Sequence, residues 1–103
     1  MNTLAEAVNG AMSEKEFAQL VVDLAQFKGW KVYRTWNSLH SPAGYPDLTM
    51  TRNGRIIFAE LKTEKGKVSA SQQAWLDKLG ECEGVACVLW RPSHWEAVEV
   101  MLS

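Results

Sequence analysis

From residue 47 to residue 62, apolar and polar positions alternate with a period of two around Asn53-Gly54. Leu48, Met50, Ile57, Ala59 and Leu61 fall on one face; Asp47, Thr49, Thr51, Ile56, Phe58, Glu60 and Lys62 fall on the other. Asn-Gly between two such runs predicts a hairpin closed by a two-residue type I′ turn. Pairing Arg52 with Arg55 across that turn sets Asp47 opposite Glu60. Opposed residues have Cβ atoms about 4.5–5.5 Å apart, where two like charges repel. A cation between them removes the repulsion, and Lys62 points to the same face. Two carboxylates and an ammonium thus converge on one spot, which suits a hydrolytic Mg²⁺ site. A one-residue slip would turn the acids toward the apolar side, so burial enforces the pairing.

The rest of the chain supplies a helix before this hairpin and a helix and strands after it. Residues 1–12 read as a frayed or weakly helical leader. Ser13 and Glu16 form a capping-box pair that opens a helix over about Glu14–Phe27. Its apolar stripe is Phe17, Leu20, Val21, Leu24 and Phe27, and Gly29 ends it. WKVYRTW, Trp30–Trp36, reads as a strand, followed by a polar loop to Pro46. The hairpin strands lie at about 47–51 and 55–62. A basic connection leads to a second helix near Ala70–Leu79, with Trp75, Leu76 and Leu79 apolar. Val85–Trp90 reads as an apolar strand, and Trp95–Leu102 as a last strand. The order is α-β-β-β-α-β-β in one domain over residues 1–103, without repeats or linkers.

Composition narrows the setting. A content of 47% hydrophobic residues with five tryptophans supports a folded core. No apolar run approaches the roughly 18 residues of a membrane helix, and the N-terminus lacks the pattern of a signal peptide. Cys82 and Cys87 suggest no disulfide framework, and with His40 and His94 they match no zinc-finger spacing. A cytoplasmic protein is the expectation. The net charge of −1 conceals a segregation: residues 28–67 carry eight bases and three acids, a net +5, whereas the remainder is −6. A basic segment around an acidic pocket suits a phosphodiester substrate.

GYPD at Gly44–Asp47 followed by AELKTEKGK at Ala59–Lys67 resembles the PD-(D/E)xK nuclease superfamily. Within it the chain is most similar to VRR-NUC, the virus-type replication-repair nuclease domain. The stretches that carry the likeness are SEKEF, GW-KVYRTW, G-PDL, FAELKTEKGK, S-SQQAWLDKL and VLWRP, from about Ser13 to Pro92. The resemblance implies an α/β fold of restriction-endonuclease type, an αβββαβ core whose mixed central sheet is flanked by helices. Stand-alone domains of this kind look like phage or bacterial Holliday-junction resolvases of DNA recombination and repair. The implied activity is Mg²⁺- or Mn²⁺-dependent endonucleolytic cleavage of branched DNA by a homodimer. Rival readings are a nicking, flap or restriction-like nuclease, and a non-catalytic DNA-binding module of the same fold.

On this resemblance Asp47 and Glu60 are metal ligands, the Leu61 carbonyl is a third, and Lys62 orients or activates the attacking water. The resemblance also implies an acid from the first helix and a glutamine from the second. Geometry does not choose between Glu14 and Glu16, but Glu16 has a capping role and the family pattern favours Glu14. Gln72 is the glutamine, although Ser69 and Gln72 also fit a capping box. Arg34, Ser38, His40, Lys65 and Lys67 are the expected DNA contacts. A junction needs two symmetric cuts, which a two-fold dimer provides, with Trp36, Trp90 and Trp95 as candidate interface residues.

Overall fold

Asn53 and Gly54 both adopt positive φ, 50° and 80°, the signature of the type I′ turn. They join β2 (Leu48–Arg52) to β3 (Arg55–Leu61) with Arg52 opposite Arg55, in the expected register. The computed structural model describes residues 3–36 and 40–103. Its other elements are α1 (Leu4–Ala11), α2 (Glu14–Phe27), β1 (Lys31–Arg34), α3 (Ala70–Gly80), β4 (Val85–Trp90) and α4 (Trp95–Leu102), with a 3-10 turn at Pro92–His94. The sheet order is β1-β2-β3-β4. The first two pairings are antiparallel; β4 runs parallel to β3 because α3 carries the chain back between them.

The apolar face of the hairpin is the core face. Leu48, Met50, Ile57, Ala59 and Leu61 are all buried there, with Phe17, Val21, Trp30, Val98 and Leu102. On the opposite face Tyr45 packs edge-on against Phe58 and Trp75, beneath α3. The sheet is thus covered by α2 and α4 on one side and α3 on the other.

Four expectations are revised. The last element is a helix: Trp95, Val98 and Leu102 share one stripe, and Val98 and Leu102 are fully buried against the core. Pro92 starts the 3-10 turn that redirects the chain out of the sheet, and the alternation of Trp95–Leu102 also satisfies helical spacing. Residues 4–11 form a capped helix, with the Thr3 side chain accepting from Glu6 N–H, yet they bury no side chain. On α2 the buried side chains are Phe17, Ala18, Val21, Val22 and Ala25. Leu20 and Phe27 fall outside this buried face, at 43% and 84% exposure. Finally, Trp90 is only 3% exposed and belongs to the core, so it is no interface candidate. Trp36 is 87% exposed, and Trp95 is half-buried beside an apolar groove that Met12, Leu20 and Pro92 also line.

Candidate active site

The hairpin ladder stops at Leu48–Ala59, one pair short of the acids. The next hydrogen-bonded pair would be Pro46 with Leu61, and proline has no N–H to give. The Leu61 N–H turns instead to Asp47 Oδ2, at 2.8 Å. In a strand a residue's C=O points to the same side as its N–H, so the Leu61 carbonyl also faces the acids. Thr35 grips the other side of this corner. Its N–H donates to Asp47 O at 2.9 Å and its hydroxyl donates to Pro46 O at 2.7 Å. Asp47 is therefore fixed by backbone on both flanks. Thr35 is a positioning residue that local patterning does not flag, because its partners lie across the sheet.

Glu14 stands at the first position of α2, at the open end of the sheet. Carboxylate oxygens of Glu14, Asp47 and Glu60 all lie within 4.8 Å of one another. Glu16 is instead engaged in the capping box, its carboxylate accepting from Ser13 N–H at 3.1 Å. The helix acid of the cluster is thus Glu14, which the structure brings beside the hairpin pair. Gln72 joins them from the first turn of α3, donating to Glu60 Oε1 at 3.1 Å while its own Oε1 accepts from Ser69 N–H. Its capping role and its site contact hold together.

Gly44 makes that approach possible. Its φ is 96°, and a Cβ there would come within 2.5 Å of the Ser71 backbone. Only glycine lets the loop before Asp47 seat against the start of α3. The GYPD motif contains this signal.

The electrostatics are those of crowded acids. Burial pushes the Glu60 pKa up to about 8, aided by the adjacent Asp47 carboxyl, and nearby Lys62 offsets this in part. Glu14 is also raised, by burial first and then by Asp47. Among the described residues the ion pair within 4.0 Å is Lys78–Glu81, so Lys62 acts on the acids from further away. Its backbone N–H is anchored to Trp90 O at 3.0 Å.

A divalent cation fits these residues. Glu60 is 1% exposed, and its Oε2 has no hydrogen-bond partner among the described residues. A buried carboxyl group crowded by two further carboxylates is an unrelieved cost unless a proton or a metal ion lies between them. The donors are all oxygen, the chemistry of Mg²⁺ or Mn²⁺.

A pocket of about 240 Å³ opens onto the cluster, lined by Glu14, Lys15, Arg34, Thr35, Asp47 and Leu61 among others. Arg34, expected as a DNA contact, lies at the mouth of this pocket, and Lys15 is a second cation there. Lys65 and Lys67 are exposed on the turn that follows Lys62. Arg91 braces that turn, its Nη1 donating to Thr63 O and Gly66 O, each at 2.7 Å. His40 is exposed and does not line the pocket. Ser38 lies outside the described residues.

An αβββαβ scaffold with Asp47, Glu60 and Lys62 gathered at the open end of a hairpin is that of a PD-(D/E)xK nuclease domain. A solved structure described as a VRR_NUC domain protein shares the fold, with a TM-score of 0.65, 18% identity, and coverage of 89% of this chain and 91% of that one. The VRR-NUC domain model matches residues 3–90, and the chain belongs to the VRR-NUC family of nuclease domains. A search of curated proteins finds no match. The family implies DNA as the substrate.

Proposed function

We propose that this protein is a structure-specific endodeoxyribonuclease that cuts branched DNA, four-way junctions foremost, with Mg²⁺ or Mn²⁺. The observation that carries this reading is the convergence of the Glu14, Asp47 and Glu60 carboxylates, with oxygens within 4.8 Å of one another. Glu14, Asp47, Glu60 and the Leu61 carbonyl would hold the ion. When bound it supplies Lewis acidity toward the phosphate and lowers the pKa of a coordinated water.

The chain's own groups do the rest. Asp47 is immobilised by Thr35 and by the Leu61 N–H, so its carboxylate meets substrate in a preset orientation. Lys62 donates hydrogen bonds to the attacking water or to the phosphate it attacks, and its charge compensates the transition state. Lys15 and Arg34 at the pocket mouth neutralise phosphate on the entering strand, with Lys65, Lys67 and His40 as further contacts. Attack at phosphorus breaks the P–O3′ bond and leaves 3′-hydroxyl and 5′-phosphate ends. A cytoplasmic setting belongs to this reading as well.

The active form is a homodimer with Trp36 and Trp95 as interface candidates, because the described residues of one chain present one acid cluster and junction resolution needs two. Labelled four-way junction, duplex and flap substrates incubated with Mg²⁺ test the reading. Paired symmetric cuts in the junction support it; cutting of flaps alone moves the assignment to a flap nuclease, and binding without cutting to a non-catalytic module. Sedimentation at micromolar concentration is expected to give twice the 11.6 kDa chain mass.

A further inference from the structure

Lys62 stands one residue beyond β3, and the segment from Thr63 to Lys67 that follows it belongs to no helix or strand. Carbonyls in such a segment need donors wherever they turn away from water. Three of them converge on one side chain. Arg91 Nη1 donates to Thr63 O and Gly66 O, each at 2.7 Å, and Glu64 O shares the same nitrogen at 3.3 Å. Both Nη1 hydrogens are thus engaged inside a single turn. Arg91 is itself held, its N–H donating to His94 Nδ1 at 3.1 Å and its carbonyl accepting from His94 N–H at 2.8 Å. A second grip runs alongside, where Glu64 Oε2 accepts from Ser93 N–H at 3.1 Å. The turn is closed by Gly66 N–H on Thr63 O at 3.2 Å. Closure brings Gly66 onto the Lys62 side chain: a Cβ there would stand 3.5 Å from Lys62 Cδ. The turn is therefore a wall along the Lys62 stem, and Arg91 holds that wall in place.

We propose that Arg91 is a positioning residue that acts through this turn on Lys62, confining its stem so that the ammonium stays beside the acid cluster. The inference rests on the role given to Lys62 above. A lysine ammonium rides on a flexible four-carbon stem that samples many rotamers unless something packs against it. A reacting group displaced by about 1 Å can lose about a hundredfold in rate. The N–H of Lys62 is fixed by Trp90 O, at 3.0 Å, which sets where the stem begins. The turn that Arg91 ties together sets where the stem runs. Adjacent residues at the end of β4 thus control both, although neither touches the reacting atoms.

Single-turnover cleavage, on whichever of the junction, flap and duplex substrates the native protein cuts, tests this in a double-mutant cycle. Arg91→Met keeps an apolar stem but removes every donor; its cleavage rate is expected to fall about tenfold to a hundredfold. In a Lys62→Ala background the same change is expected to cost less than about twofold, because the group it positions is gone. Arg91→Lys, which keeps a cation with donors on a shorter stem, is expected to recover part of the loss. Amide exchange supplies a readout independent of cleavage. In Arg91→Met the Gly66 and Ser93 N–H groups are expected to exchange at least about tenfold faster, while the β2 amides keep their native rates. Losses of equal size in the two backgrounds, or unchanged exchange at Gly66, overturn the proposal. Should Arg91→Met fail to fold, Arg91→Lys carries the same cycle, with a smaller expected loss and the same dependence on Lys62. A native protein that cuts none of the substrates, or a Lys62→Ala variant that cuts at the native rate, sinks the reading of the site and this inference with it; strong dependence on Lys62 with no response to Arg91 sinks this inference alone.

Discussion

The two ends of the β2–β3 hairpin treat charge in opposite ways. At the turn end, Arg52 donates to Lys28 O, Leu102 O and Ser103 O, and Arg55 donates to Met101 O. Both guanidinium groups lie against the Trp30 ring, 4.7 and 5.1 Å from its centre. Trp30 itself donates to Leu102 O at 2.9 Å. Cations there meet the carbonyls at the C-terminal end of α4, where the helix dipole favours positive charge. At the open end three carboxylates crowd together, and no cation lies within 4.0 Å of them among the described residues. The turn end spends its cations on carbonyls and an aromatic ring, with only Arg52 Nε left buried without a hydrogen-bond partner among the described residues. The other is kept unresolved by a scaffold rigid enough to bear it, as functional sites commonly are. The comparison also corrects the charge map: Arg52 and Arg55 belong to the structural end, so the basic segment offers DNA fewer cations than its sum suggests.

The sharpest way to break this contrast is at the acids. If the proposed metal reading holds, Asp47→Asn and Glu60→Gln are each expected to lower cleavage at least about a thousandfold, since several kcal/mol of transition-state stabilisation would depend on the ion these carboxylates bind. The metal-free melting temperature should hold or rise slightly, because like-charge repulsion is relieved. Thermal melts beside junction-cleavage assays check both halves. A clear loss of metal-free stability with activity kept would make the acids structural, like the arginines at the other end.

Lys62→Ala is next, with an expected loss of about a hundredfold to a thousandfold in cleavage, the range for removing one donor that stabilises the transition state. Calorimetry should still show divalent-ion binding, since an ammonium has no lone pair to offer a metal. Loss of metal binding in this variant would merge two roles that the geometry separates.

The pH dependence of stability sharpens the comparison further. The folded-state pKa of Glu60, about 8, lies above its ordinary value of 4.5. Between those values the folded state keeps a proton that the unfolded chain has shed. Metal-free stability should thus be greatest below pH 4.5 as far as Glu60 is concerned, and fall as pH rises toward 8, by up to about 1.4 kcal/mol per unit. Denaturant melts across this window check it. Glu60→Gln should flatten the slope, and saturating Mg²⁺ should reduce it.

Arg52→Ala probes the opposite end and carries the smallest effect. It removes charge-assisted bonds to carbonyls and a cation–π contact, for an expected loss of about 2–4 kcal/mol. Cleavage per folded molecule should be unchanged. A drop in activity at full folding would mean that the two ends are coupled along the hairpin.

Much of this architecture follows from short-range rules. Asn53-Gly54 determines the turn and the register, and with them the faces that hold Asp47, Glu60 and Lys62. Ser13 with Glu16, and Ser69 with Gln72, determine two helix starts through bonds that span three residues. The capping box also separates Glu16 from Glu14, which stands unclaimed at the position facing the acids. Such features are legible because donor, acceptor and backbone geometry all sit within one turn of chain.

What the tertiary structure alone decided depends on partners far apart. Trp95–Leu102 satisfies both strand and helix spacing, and the docking of Val98 and Leu102 into the core selects the helix. The buried face of α2 runs through Phe17, Ala18, Val21, Val22 and Ala25 and leaves Leu20 and Phe27 exposed, a choice its apolar spacing alone did not make. Thr35 reaches Pro46 and Asp47 only because β1 lies beside β2, and Gln72 reaches Glu60 only because α3 folds back over the hairpin. Residue identity supplied the acids and the turn that aligns them. Their fixed orientations and the crowding that calls for a cation arise from long-range packing, which no local pattern encodes.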